Sequence, residues 1–229
     1  MENNEINKEE LNVSKPKLNI PAAIVLAGVI IAAAIFLKGV QPAEKVTANG
    51  GELDLVAQVS EQDFVRGDKN APVTLIEYAD FSCHFCAQFQ LTLKQLVDES
   101  KGQIKWVYRH LPIFNIEAAV ASSCVGRLGG EETFWKYSDT LFANQDALKT
   151  AYYLETAKTL GIDEAKYGEC IKDAALEKAI RQEFTQNKIL LGFNGTPHTV
   201  LIDKNGKKFS FTGALPYDEL QSVIEGLNK

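Results

Sequence analysis

The stretch that decides the fold is residues 72–86, which read PVTLIEYADFSCHFC. Its first half is a nearly uninterrupted apolar run that opens with a proline, a pattern typical of a buried strand. From the cysteine pair onward, apolar side chains recur at helical spacing, at Phe85, Phe89, Leu93 and Leu96. We therefore predict that a strand passes directly into a helix and that Cys83 and Cys86 lie at the junction.

The segments that follow predict the rest of an α/β fold. Residues 104–109 alternate between apolar and polar side chains, which predicts a second strand, parallel to the first through a right-handed crossover. Residues 115–191 carry long apolar periodicities, so we predict only helices there. Two apolar runs then flank Asn205-Gly206, a strong hairpin signal, and Pro216 opens a last helix. The predicted order is βαβ, an all-helical block at about 115–191, and ββα.

The N-terminal part differs from the globular part. Residues 1–19 form a polar tail, and residues 20–37 contain no charged or strongly polar side chain. Eighteen helical residues span about 27 Å, close to the hydrocarbon thickness of a bilayer. A cleaved signal peptide is the alternative, but the segment before the run is long and acidic, and the run itself is longer than usual. We predict a transmembrane anchor at 20–37, a linker at 38–60 and a globular domain at 61–229.

Composition excludes several classes of protein. Hydrophobic residues make up 45% of the chain and charged residues 24%, which is ordinary for a soluble globular domain and excludes a disordered chain. The formal net charge of −6 argues against nucleic acid as a partner, because phosphate binding needs a concentrated basic face. The sequence shows no glycine motif that would cradle a phosphate, so no nucleotide or other cofactor is expected.

The cysteine pair has a chemical rationale at a helix N-terminus. The helix dipole and the unpaired N–H groups stabilise a thiolate on Cys83, and a thiolate is the attacking group in thiol–disulfide exchange. Cys86 is then placed to resolve a mixed disulfide. The alternatives are an inert structural disulfide, or half of a zinc site that would take Cys124 and Cys170 as its other ligands. These two lack the spacing of a zinc knuckle, and we predict no metal.

Several polar residues near the pair are candidates for supporting roles. A charged His84 would stabilise the thiolate and make the protein a stronger oxidant, whereas the alternative is that it points to solvent. Glu77 is a carboxylate within an apolar strand, which suggests proton transfer with the resolving cysteine unless it is solvated at the end of the sheet. His198 is a further candidate because it follows Pro197, and His110 is interpreted as structural.

Residues 64–229, about three quarters of the chain, resemble the DsbA-like branch of the thioredoxin-fold oxidoreductases. The residues that carry the resemblance are Gly67-Asp68, Ala71-Pro72-Val73, the run from Glu77 to Cys86, Gly195-Thr196-Pro197, Gly213-Ala214, Tyr217 and Leu220. The resemblance implies that Pro197 is a cis-proline facing the redox pair, with Thr196 before it. It also implies that Glu77 is the buried acid beneath the active-site helix.

The two residues between the cysteines depart from the common pattern of that branch. His84 directly follows the first cysteine instead of preceding the second, and the usual proline is absent. The choice between an oxidase and a disulfide isomerase or reductase therefore stays open.

The remaining cysteines, Cys124 and Cys170, both lie in the helical block. They are either buried free thiols or a second, structural disulfide. An oxidising compartment pairs thiols, so we predict the disulfide.

Together these features predict a membrane-anchored thiol:disulfide oxidoreductase that acts outside the cytoplasm. Its predicted substrates are reduced or misoxidised exported proteins, and the resemblance implies a membrane thiol oxidase that reoxidises it. The predicted location is the cell membrane, with a single span at 20–37 and the N-terminus in the cytoplasm. The alternatives are a disulfide reductase or isomerase, or a non-catalytic binding module whose cysteine pair is a static crosslink.

Overall fold

The structure is a computed structural model, and it describes residues 53–193 and 195–227. Its centre is a five-stranded mixed sheet with the spatial order β1-β3-β2-β4-β5. The strands are β1 (Phe64–Gly67), β2 (Val73–Ala79), β3 (Ile104–His110), β4 (His198–Ile202) and β5 (Lys208–Thr212).

Within the described residues, four α-helices lie between β3 and β4, one precedes β3 and one follows β5. The helices are α1 (His84–Glu99), α2 (Ile116–Ala143), α3 (Thr150–Thr159), α4 (Glu164–Cys170), α5 (Ala174–Leu190) and α6 (Tyr217–Leu227). The element order is that of a thioredoxin fold with a helical insertion, as the sequence predicts. Helix α2 is interrupted at Gly130, whose φ of 81° lies in the left-handed region that glycine tolerates.

Strand β2 is the central strand, and its position explains the apolar run in residues 72–79. It pairs in parallel with β3 and antiparallel with β4, so Leu75 lies between Trp106 and Leu201. Leu75 faces the core beneath α1, whereas Ile76 packs in the cluster on the opposite face. Because both faces are covered, all seven residues of β2 are buried and the strand is apolar almost throughout.

Strand β1 is an edge strand that the sequence does not predict. It pairs antiparallel with β3, with Phe64 opposite Tyr108. The strand has four residues, and Arg66 lies among them. Four residues are too few for a clear alternation of apolar and polar side chains, so the strand cannot be predicted from the sequence pattern.

The packed part of the chain begins before the predicted boundary at residue 61. Leu53 and Val56 are buried in the core on the sheet face opposite α1. Arg109 of β3 holds the same segment, because its guanidinium donates to the carbonyls of Ala57 and Gln58 and forms a buried ion pair with Asp63. The last part of the predicted linker therefore packs against the domain, and its two buried apolar side chains make too short a pattern to be recognised in the sequence.

The predicted anchor at residues 20–37 lies outside the described residues. Among the residues that the structure does describe, no helix has the length and apolar character needed to cross a bilayer.

Candidate active site

The cysteine pair lies at the junction between β2 and α1. Cys83 is the N-cap residue of α1, and its sulfur accepts a hydrogen bond from the backbone N–H of Cys86 at 3.4 Å. The Cys83 N–H donates to the carbonyl of Asp80 at 3.0 Å, which fixes the turn between strand and helix. Cys83 is 6% exposed, Cys86 is fully buried, and both carry free thiols.

The pKa values of the two thiols are shifted in opposite directions. The pKa of Cys83 is lowered to about 6, first by a hydrogen bond from the Cys86 thiol and then by Thr196 and by backbone N–H groups of the first helical turn, while burial opposes this. The pKa of Cys86 is raised well above its ordinary value, first because the thiol is buried. Near neutral pH the site therefore holds a thiolate on Cys83 and a protonated thiol on Cys86.

The loop before β4 lies against Cys83. The peptide bond between Thr196 and Pro197 is cis. The Cys83 thiol, when protonated, donates to the carbonyl of Thr196 at 3.3 Å. Two segments that are 113 residues apart in sequence thus meet at the sulfur.

Glu77 is completely buried beneath α1. One of its oxygens, Oε2, accepts hydrogen bonds from Gln90 Nε2 at 2.9 Å and from Trp106 Nε1 at 3.1 Å. Burial is the main cause that raises the pKa of Glu77 to about 8, and the two hydrogen bonds oppose it. The alternative that Glu77 is solvated at the end of the sheet is therefore wrong.

The three histidines have different surroundings. His84 is exposed, and its ring lies 3.1 Å from the Gln88 amide, one helical turn further along α1. Burial lowers the pKa of His110 and of His198 to about 4, so both are neutral at neutral pH. His110 pairs with the Ser123 hydroxyl, and His198 stacks on Phe193 with ring centroids 3.7 Å apart.

The helical block holds the turn that carries Cys83. The side-chain amide of Gln145 donates to the carbonyls of Phe81 and Cys83, at 2.8 and 2.9 Å. The buried carboxylate of Asp80 accepts the backbone N–H groups of Phe114 and Asn115, at 2.6 and 3.1 Å. Sequence reasoning gave no role to Gln145 or Asp80. For Asp80 the sequence offers one signal, a carboxylate directly after a buried strand. Gln145 offers none, because it lies 62 residues from Cys83.

We expect Gln145→Leu to lower the free energy of unfolding by about 1–2 kcal/mol, because two carbonyl groups lose a donor while a partly buried site cannot fully rehydrate them. Denaturant unfolding with the midpoint and slope both fitted measures this change. The matched control is Gln182→Leu at an exposed position of α5, for which we expect a change within about 0.5 kcal/mol. Equal effects of the two substitutions would contradict the anchoring role of Gln145.

Cys124 and Cys170 form a disulfide. It joins α2 to α4 with an S–S distance of 2.10 Å and a Cα–Cα distance of 5.8 Å. The alternative of a zinc site needs these two residues as thiolate ligands, and the disulfide removes both.

Comparison with known proteins agrees with this architecture. A family model described as Thioredoxin matches residues 59–226. Among solved structures, alpha-DsbA1 from Wolbachia pipientis has a TM-score of 0.64 at 21% identity, covering 77% of this chain and 95% of that one. The thiol-disulfide exchange protein alpha-DsbA2 from Wolbachia pipientis has a TM-score of 0.61 at 26% identity, covering 73% and 88%.

The curated proteins that are similar in sequence are named as antiporters, unlike the solved structures above. The Na(+)/H(+) antiporter NhaA 3 of Salinispora tropica is 33% identical over 153 residues, which are 66% of this chain and 23% of that protein. The chain thus spans about a quarter of the length of such relatives, and the name describes those much longer proteins.

Proposed function

This chain belongs to the DsbA-like family of thiol:disulfide oxidoreductases, which has the thioredoxin fold, and from that premise we propose that Cys83 and Cys86 transfer disulfides to exported proteins. The observation that carries the proposal is the placement of two free thiols, with Cys83 capping α1 and accepting a backbone N–H while Cys86 is fully buried. The thiolate of Cys83 is the attacking group. The protonated, buried thiol of Cys86 is the group that later resolves the mixed disulfide.

The transfer balances without a bound cofactor. In the oxidised protein, a substrate thiolate attacks Cys83 Sγ, the bond between Cys83 and Cys86 breaks, and Cys86 leaves with the electron pair and takes up a proton. A second thiolate of the same substrate then attacks the substrate sulfur of the mixed disulfide, which forms the substrate disulfide and releases Cys83 as a thiolate. The substrate loses two electrons and two protons, and the protein pair gains the two electrons.

The low pKa of Cys83 favours the oxidising direction. A stabilised thiolate is a good leaving group, and it lowers the free energy of the reduced protein relative to the oxidised one. Such a pair donates its disulfide readily. The alternative of a reductase requires a pair whose oxidised form is favoured more strongly.

Exposed aromatic side chains near the pair fit an unfolded substrate. Phe85, between the two cysteines, is 61% exposed, and Phe114 is 71% exposed. The backbone N–H of Phe114 donates to Asp80, three residues before Cys83, which places Phe114 near the cysteine turn. Unfolded proteins present apolar segments together with free thiols, whereas folded proteins bury both.

We expect the Cys83 thiol to titrate with a pKa of about 6 in the reduced protein. The measurement is thiolate absorbance in the ultraviolet against pH, with Cys83→Ser as the control that should lack the transition. The rate of alkylation should rise through the same pH range and then level off. A midpoint near the ordinary value of about 8.5 would favour a binding module with a static crosslink.

We propose that the domain lies outside the cytoplasm, anchored by residues 20–37 with the N-terminus inside. Two observations support this: the apolar run itself and the disulfide between Cys124 and Cys170, which an oxidising compartment maintains. The test is labelling of intact cells with a membrane-impermeant thiol reagent after mild reduction. Protection of Cys83 until the membrane is permeabilised would overturn the topology, and release of a shortened domain would indicate cleavage.

A membrane thiol oxidase is the proposed electron acceptor, since the reduced pair must be reoxidised for a second turnover. The resemblance to the DsbA-like branch is the support for this partner. Membranes from the source cells should reoxidise the reduced wild-type domain, and they should leave a Cys86→Ser variant without its intramolecular disulfide.

A further inference from the structure

Both hydrogen bonds to the buried Glu77 reach the same oxygen. Gln90 Nε2 and Trp106 Nε1 donate to Oε2, while Oε1 is buried and has no partner in the described structure. N–H donors favour the ionised form of a carboxyl group. The proton of the neutral form therefore resides on Oε1, because the lone pairs of Oε2 are already engaged.

The carboxyl group of Glu77 lies beneath the helix face that carries the resolving cysteine. Cys86 and Gln90 are four residues apart on α1, so their side chains leave the same face of the helix one above the other. Gln90 contacts Glu77 directly, which places the carboxyl group under the face that carries Cys86. Electrostatic coupling between Glu77 and Cys86 is consistent with this proximity.

Stability alone does not explain a buried glutamine at position 90. It lies among the apolar residues of the α1 stripe, next to Phe89 and one turn from Leu93, and it is 5% exposed. Its Nε2 bonds Glu77, but its own Oε1 has no partner in the described structure. A buried amide that leaves an acceptor unsatisfied costs free energy that an apolar side chain of similar size would not.

We propose that Gln90 and Trp106 are positioning residues that hold Glu77 in an orientation from which Oε1 exchanges a proton with Cys86. The inference rests on the proposed function, because it concerns the proton that Cys86 takes up and gives back. When Cys86 leaves as a thiolate, the neutral Glu77 gives it the proton and the resulting carboxylate keeps the hydrogen bonds of Gln90 and Trp106. In the reverse step, the carboxylate accepts the proton from Cys86 as that thiol attacks a mixed disulfide.

The proposal predicts the direction in which a lost donor changes the reaction. Without Gln90 or Trp106 the carboxylate is less stabilised, so the pKa of Glu77 moves further above its value of about 8. The resolving step needs the carboxylate, and its rate should therefore rise with pH at a higher midpoint in the variants. The free energy of one hydrogen bond to a charged group corresponds to a pKa shift of about one unit or slightly more.

The experiment follows resolution of a mixed disulfide between Cys83 and glutathione, by stopped-flow release of glutathione at a series of pH values. Gln90→Met preserves the length of the side chain and removes the donor, while Trp106→Phe removes the other donor and preserves a ring. The matched control is Gln95→Met, on the same helix at an exposed position where the glutamine bonds Glu99. The infrared carboxyl band that is lost in Glu77→Gln reports the protonation of Glu77 independently.

We expect an upward shift of the midpoint by about one pH unit in Gln90→Met and in Trp106→Phe, and none in Gln95→Met. An unchanged or lower midpoint in the two donor variants, with resolution otherwise normal, would overturn the inference and leave the proposed function intact. Failure of the wild-type protein to resolve the mixed disulfide at any pH would instead overturn both. If Gln90→Met does not fold, Trp106→Phe decides alone.

Discussion

Serine in place of Cys83 is expected to reduce disulfide transfer to the level of the reaction without protein. A serine hydroxyl cannot form the disulfide that is handed to the substrate, and the remaining cysteine cannot replace it. Cys86 is fully buried, and burial raises the pKa of its thiol far above neutral pH. The measurement is the rate at which a reduced, unfolded protein with two cysteines gains its disulfide from stoichiometric oxidised protein.

Serine in place of Cys86 is the matched comparison, because it removes the partner and leaves the nucleophile. This variant should also fail to donate a disulfide, but it should accumulate a stable mixed disulfide between Cys83 and glutathione. The Cys83→Ser variant should form none. Circular dichroism should show both variants folded. Transfer that persists in Cys83→Ser, or equal trapping by the two variants, would contradict the assignment of Cys83 as the reacting sulfur.

Loss of the disulfide between Cys124 and Cys170 is expected to lower the free energy of unfolding by about 4 kcal/mol. The bridge spans 46 residues of sequence, and the chain-entropy model gives a value of about that size for a loop of this length. The bridge also joins α2 to α4, so the loss should concern the helical block first. Denaturant unfolding of the oxidised protein and of the variant with Cys124→Ala and Cys170→Ala measures the difference.

A background with Cys83→Ser and Cys86→Ser isolates the crosslink from the redox pair. In that background, reduction can act only on the bridge, and it should reproduce most of the loss seen with the alanine variant. A difference below about 1 kcal/mol in both comparisons would show that the bridge does not restrain the unfolded chain as the loop length requires.

The sequence predicts the central layer of the molecule because the signals there are local. The apolar run of β2, the helical stripe of α1 and the Asn205-Gly206 turn each act within a few residues. The hairpin of β4 and β5 accordingly forms around Asn205-Gly206, and β2 passes into α1 at Cys83. The order of the elements from β2 onward follows from the same local patterns, whereas the short strand β1 does not.

The polar contacts that complete the site are not local, and the sequence does not predict them. Gln145 reaches the carbonyl of Cys83 across 62 residues, and Trp106 reaches Glu77 across 29. Gln90 is not predicted either, although a glutamine next to the apolar stripe of α1 is a local signal for a polar side chain in a buried position. The role assigned to His84 stays a prediction, and its exposed ring beside Gln88 favours the alternative that it points to solvent.

We propose that Cys83 and Cys86 form a redox pair that oxidises its substrates. The most direct test is the equilibrium of this pair with reduced and oxidised glutathione, followed in the purified domain with the bridge between Cys124 and Cys170 intact. We expect a potential more oxidising than about −200 mV, since the reduced form is stabilised by the thiolate. A potential near about −270 mV would indicate a reductase, and one below about −300 mV an inert structural disulfide; either result would contradict a role as an oxidant.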